Sequence, residues 1–194
     1  MTDPAGNSGT DELVDEPGRA EVLDSERVFE GRIWDVRRDR LRFRDHELVR
    51  EYIDHPGAVA ILAIDEDERV VVIRQYRHPI GARDWELPAG LLDVEGEEPL
   101  LAAHRELAEE VDLAASEWTE LMTIATSPGG SSELITIYEA RGLSPVPAFL
   151  RSEEEAELEV RWVELDEIVD AAFAGRIRNG ILITAALAAY ARRR

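Results

Sequence analysis

Three glutamates stand close together at positions 106, 109 and 110, inside the stretch GLLDVEGEEPLLAAHRELAEEVDL at residues 90–113. Pro99 suits the first turn of a helix, where its missing N–H costs nothing, so a helix is expected over residues 99–111. Each helical residue turns about 100°. Leu100, Ala103, Leu107 and Val111 then share one apolar stripe, and Glu106, Glu109 and Glu110 crowd onto an adjacent arc. Like charges one turn apart mildly destabilise a helix. A divalent cation removes that cost: hard cations such as Mg²⁺ select oxygen ligands and bridge carboxylates to substrate phosphates. The plain alternative is a solvated glutamate face.

The elements that must position this helix follow from the rest of the chain. The 194 residues suit one domain with a small appendage, and 44% hydrophobic content is enough for a real core. Residues 1–20 are polar, rich in Gly, Pro, Asp and Glu, and are expected to be a disordered acidic tail. Residues 27–35, 39–43 and 46–53 suggest three short strands, part of a small N-terminal β-domain over residues 21–55. The continuous apolar runs 58–64 and 70–75 suggest a hairpin of well-buried strands around a charged turn at 65–69. Further strands are expected at 83–87, 117–125, 133–141 and 159–164, an exposed acidic segment at 153–157, and two closing helices at 166–174 and 179–190. This order makes an α+β fold, with the main domain over residues 56–194.

Composition narrows the chemistry. There is no lysine and no cysteine, and the formal charge is −20. Schiff-base chemistry, a P-loop lysine, a cysteine nucleophile and disulfides are excluded. So acidic a chain is not expected to bind nucleic acid, which needs a basic stripe. The longest apolar stretch, 181–191, falls well short of the ~20 residues of a membrane span, so no membrane partner is expected. No basic segment followed by an apolar run opens the chain, so no secretory signal is expected, and the cytoplasm is the expected compartment. His46, His55, His78 and His104 show no metal-ligand spacing, and Ser131 and Ser132 lack an evident His–Asp partner for serine-hydrolase chemistry.

The glutamate stretch resembles the Nudix box: Gly90, then Glu97, seven residues, and Arg105-Glu106-Leu107-Ala108-Glu109-Glu110, closed by Leu113. It departs from the pattern in two places. One extra residue lies between Gly90 and Glu97, and Asp112 stands where the box has glycine. Asp tolerates a left-handed helix end better than most residues. The resemblance implies a mixed β-sheet sandwiched between helices, and hydrolysis of a nucleoside diphosphate linked to another group. It implies Glu106 and Glu110 as metal ligands with the carbonyl of Ala89, Glu109 as ligand or base, and a structural pair of Glu97 with Arg105. The implied cofactor is Mg²⁺, with Mn²⁺ as the alternative ion.

Pro128 follows Leu113 by fifteen residues, within Ser127-Pro128-Gly129-Gly130-Ser131-Ser132-Glu133. This loop resembles that of the ADP-ribose pyrophosphatase branch, which implies Glu133 as general base; the alternative is a simple hairpin turn. By the same resemblance the N-terminal β-domain is exchanged between two subunits of a homodimer, Arg50 packs near the adenine, and Arg77 contacts the diphosphate or ribose. Trp34 is a candidate for stacking on the base, and Glu86 for facing the ligand. Arg50 as a surface strand residue and Trp34 as a core or interface residue remain open. The implied reaction is hydrolysis of ADP-ribose to AMP and ribose 5-phosphate. The alternatives are another nucleoside diphosphate sugar or a dinucleotide as substrate, or a non-catalytic nucleotide sensor.

Overall fold

The computed structural model describes residues 13–149 and 157–193. The expected tail falls partly outside these: residues 1–12 are not described, and 13–20 carry no strand or helix. Residues 153–156 of the expected acidic segment, and Arg194, also lie outside the described residues.

Three strands, β1 (Glu21–Phe29), β2 (Asp35–Phe43) and β3 (His46–Asp54), form an antiparallel sheet of their own. The first strand starts and ends earlier than expected. Chain 30–34 crosses between β1 and β2, so Trp34 lies in a loop. The sheet is held by rungs of arginine and carboxylate, including Arg38 with Glu26 and Glu51, Arg40 with Glu47, and Arg42 with Glu21.

Next come β4 (Ala58–Ala63), β5 (Arg69–Arg77), β6 (Ala82–Glu86) and β7 (Ala89–Leu91), then α1 (Pro99–Val111). They are followed by β8 (Leu113–Ala125), β9 (Leu134–Pro145), β10 (Glu159–Glu164), α2 (Leu165–Phe173) and α3 (Gly180–Arg192). The strands order as β7-β4-β9-β8 and β10-β5-β6. The first sheet is mixed, because β4 runs parallel to β9 and antiparallel to β7.

The expected hairpin of β4 and β5 does not form. The two strands join different sheets and touch through a single bridge, Ile64 with Val70. The reason lies in their unbroken apolar sequence. A strand apolar on both faces needs neighbours on both edges and cover on both sides, so each becomes the centre of its own sheet. Side chains alternate across a strand. Ala58, Ala60 and Leu62 therefore face a core closed by Ile168, Leu182, Ala185 and Ala186 of α2 and α3. Val59, Ile61 and Ala63 face a second core closed by Ala102, Ala103 and Leu107 of α1. The sheets thus lie between α1 and the α2–α3 pair, the expected sandwich.

The helix α1 has the expected bounds. Leu100, however, is exposed in the first turn, and the buried stripe begins at Ala102 and Ala103. Asp112 ends the helix with φ at 57°, and its Oδ1 accepts the N–H of Phe149 at 2.9 Å. Among the described residues, no helix is long and apolar enough to cross a membrane.

Candidate active site

The short strand β7 and the helix α1 meet through carboxylates. Glu110 is buried, 6% exposed, although it is charged. Its Oε2 accepts the Ala89 N–H at 2.9 Å, which satisfies the charge inside the fold. One turn earlier, Glu106 lies against Gly90. A methyl group built on Gly90 would sit 2.0 Å from Glu106 Cδ and Oε1. The absent side chain of Gly90 is the space that the Glu106 carboxylate occupies. Both carboxylates thus converge on the Ala89–Gly90 backbone.

Arg105 gathers the remaining acids. Its Nε and Nη2 donate to the two oxygens of Glu97 at 3.1 and 2.9 Å, while Nη1 donates to Glu106 and, at 3.3 Å, to Glu109. The bidentate fork is the strong form of this pair. The hydrogen bond from Arg105 holds the Glu97 carboxyl below its ordinary range, and that from Glu97 pushes the guanidinium well above its own. Of the crowded carboxylates read from the sequence, Glu106 and Glu109 are met here by one guanidinium and Glu110 by the Ala89 N–H.

Among the described residues, no group of three or more Asp, Glu or His side chains is gathered tightly enough to hold a metal ion by side chains alone. What converges is two carboxylates on a strand backbone, an all-oxygen set of the kind hard cations accept when water completes their shell. This donor set fits such an ion on chemistry, and the missing side chain of Gly90 is what lets Glu106 reach the strand.

The strands β5 and β6 bring two other candidates together. Arg77 Nε donates to Glu86 Oε1 at 3.0 Å, and Nη2 donates to Oε2 at 2.7 Å. Glu86 is buried and also accepts from Gln75 at 3.4 Å. A buried carboxylate therefore sets the plane of a half-exposed guanidinium, two residues before Pro88 leads into β7.

The loop 126–133 carries Glu133. Its Oε2 accepts from the Thr126 hydroxyl, and its Oε1 lies 3.1 Å from His55 Nε2. Trp34 stacks on the His55 ring, with centroids 4.3 Å apart and planes at 20°. Arg50 donates to the Val49 carbonyl at 2.8 Å. It lines a groove of about 310 Å³ with Tyr52, Pro128, Gly129, Ser131 and Ser132. The candidate residues thus fall into three groups: the carboxylates of α1 on β7, the Arg77–Glu86 pair, and the Glu133 loop with the end of the N-terminal sheet. His55 and Thr126 are not among the residues expected from the sequence; His55 shows no metal-ligand spacing, and its place in the linker before β4 is the available signal.

Comparison with known proteins agrees with this architecture. The NUDIX domain model matches residues 54–183. An ADP-ribose pyrophosphatase of Mycobacterium tuberculosis is 44% identical over 172 residues, 88% of this chain and 83% of that protein. A methanol dehydrogenase activator of Bacillus methanolicus is 35% identical, over 75% of this chain and 79% of that one. A crystal structure of an ADP compounds hydrolase superposes with a TM-score of 0.74 at 23% identity, covering 91% of this chain and 95% of that one, a likeness of fold. The box glutamates on α1, the mixed sheet between helices and a family match across most of the chain lead to one conclusion: this chain belongs to the Nudix family.

Proposed function

We propose that this protein hydrolyses the diphosphate of ADP-ribose to AMP and ribose 5-phosphate in the presence of Mg²⁺, with Mn²⁺ as the alternative ion. The observation that carries the reading is the convergence of Glu106 and Glu110 on the Ala89–Gly90 backbone, which begins three residues after Glu86, the partner of Arg77. The 44% identity to an ADP-ribose pyrophosphatase supports the substrate. Glu106, Glu110 and the Ala89 carbonyl would hold the cation. When bound, it neutralises diphosphate oxygens and makes water a stronger nucleophile. Glu97 fixes Arg105, and Arg105 keeps Glu106 and Glu109 from splaying apart. Arg77, its plane set by Glu86, offers a guanidinium to phosphate oxygens. Glu133 accepts the proton of the attacking water, brought into reach by its loop, and Glu109 is the alternative base. Arg50 and Trp34 hold the adenine end.

The active unit is a homodimer. Residues 21–54 contribute no buried hydrophobic side chain, while Phe29, Ile33, Phe43 and Val49 are all at least half exposed. A sheet without a core of its own needs cover, and a second subunit supplies it. The N-terminal sheet at 21–55 and the main domain at 56–194 are the two units of this arrangement, and the cytoplasm is its compartment.

A panel of nucleoside diphosphate sugars and dinucleotides, read by phosphate release after phosphatase coupling, tests the substrate. ADP-ribose is expected to give the highest kcat/KM. A different winner overturns the substrate and keeps the chemistry, and binding without turnover at saturating Mg²⁺ overturns the enzyme reading.

A further inference from the structure

His55 is 5% exposed at its side chain, yet it belongs to neither hydrophobic core. Both of its ring nitrogens are engaged. Nδ1 accepts the Gly57 N–H at 3.0 Å, and that donor is presented by a backbone with φ at +96°, a conformation glycine adopts freely. In the neutral ring Nδ1 is therefore the acceptor and Nε2 carries the proton. Nε2 lies 3.1 Å from Glu133 Oε1, so the imidazole donates to the carboxylate. Trp34 covers one face of the ring. The tautomer, the tilt and the reach of His55 are all fixed before Glu133 is met.

The backbone around it ties the Glu133 loop to the same place. Ile53 N–H donates to the Gly130 carbonyl at 2.9 Å, Ser132 N–H donates to the Ile53 carbonyl at 3.0 Å, and His55 N–H donates to Ser132 Oγ at 2.8 Å. The end of β3 thus runs alongside the loop, Ile53 forming a single parallel bridge with Ser131, and His55 follows with its ring nitrogen toward Glu133.

We infer that His55 is a positioning residue for Glu133, holding the carboxylate through a neutral Nε2–H, with Trp34 acting through His55 as its backstop. The role rests on the reading of Glu133 as general base, and it gives Trp34 a task besides the adenine. The Thr126 hydroxyl engages one oxygen of this carboxylate, and three rotatable bonds leave the other to be fixed. A donor fixed by Gly57 and Trp34 restricts it at no cost in charge, and orientation of this kind is worth large factors in rate.

A double-mutant cycle tests this, with His55→Phe, His55→Gln, Glu133→Gln and His55→Phe/Glu133→Gln measured on whichever nucleoside diphosphate sugar the wild-type enzyme turns over fastest. A wrong substrate then shows in the panel, and a wrong role for His55 shows in the cycle. His55→Phe is expected to lower kcat about ten- to hundredfold with KM little changed. His55→Gln, which keeps an N–H donor, should recover most of the loss. In the Glu133→Gln background His55→Phe should cost nothing further. An equal loss in both backgrounds makes His55 merely structural and overturns the inference, as does full activity in His55→Phe. Glu133→Gln with unchanged kcat removes the base itself, and the positioning role with it. A readout without turnover stands beside these: the ring ¹⁵N signals of the resting enzyme should report the Nε2-protonated tautomer, and an Nδ1-protonated ring overturns the assignment.

Discussion

The N-terminal sheet and the sheets behind it are built on opposite terms. In the sheet of β1, β2 and β3, arginine and carboxylate rungs face water, and Asp39 is its buried residue. In β4 every residue is buried, and each face meets a different helix layer. The same ion-pair chemistry also differs between the two regions. Exposed rungs contribute little because water and salt screen them. Arg105, half-buried between α1 and the preceding loop, ties three carboxylates into one fixed arrangement. Sequence composition cannot separate these two uses of arginine; the cover around the pair does.

The contrast breaks first at the core. Leu107 is fully buried against β4. Leu107→Ala should cost about 2–5 kcal/mol, at every protein concentration, in thermal melts. Phe43→Ala should cost clearly less, and its loss should shrink on dilution, because the subunit contact carries it. A loss independent of concentration, or sedimentation as a fully active monomer, would end the case for a covered sheet.

Gly90→Ala separates function from stability. The atoms its methyl would strike belong to the end of the flexible Glu106 side chain, which can swing away. Melting should scarcely change. Activity should fall by about a hundredfold, the upper range for disturbing the surroundings of a metal site. An active Gly90→Ala enzyme would show that Glu106 is not needed where it stands.

The smallest effect is in acid. Arg105 lowers the Glu97 carboxyl below its ordinary value of 4.5. A depressed folded value means that the stabilisation is complete above that pH and fades as pH falls toward the folded value. Glu97→Gln should therefore lower the melting temperature at pH 7, and by less at a pH below 4.5, relative to the parent protein at each pH. An equal shift at both would make the pair a matter of shape alone.

What could be read in advance was local. Pro99 marked the start of α1, and Asp112 its left-handed end, because both act within one turn of chain. The resemblance to the box, and no rule of local geometry, implied Glu97, Arg105, Glu106 and Glu110 as a set, and the structure pairs Glu97 with Arg105 and sets the other two against the Ala89–Gly90 backbone. What could not be read depended on distant neighbours. The apolar runs of β4 and β5 carried no information about which edges they would pair with, so a hairpin looked natural where two sheets form. Leu100 fitted the stripe by angle, but the stripe's buried part begins a turn later. His55 meets Glu133 across 78 positions of sequence, and no spacing rule reaches that far.

The bond from the Ala89 N–H to Glu110 has a consequence of its own. It makes one side chain the gauge block between strand and helix, so the gap is cut to the length of a glutamate. Aspartate in its place would bring the same charge and the same two oxygens, one methylene short of the mark. The helix would then have to lean inward or the strand lose its grip, and the cation site proposed here would fail for want of a single carbon.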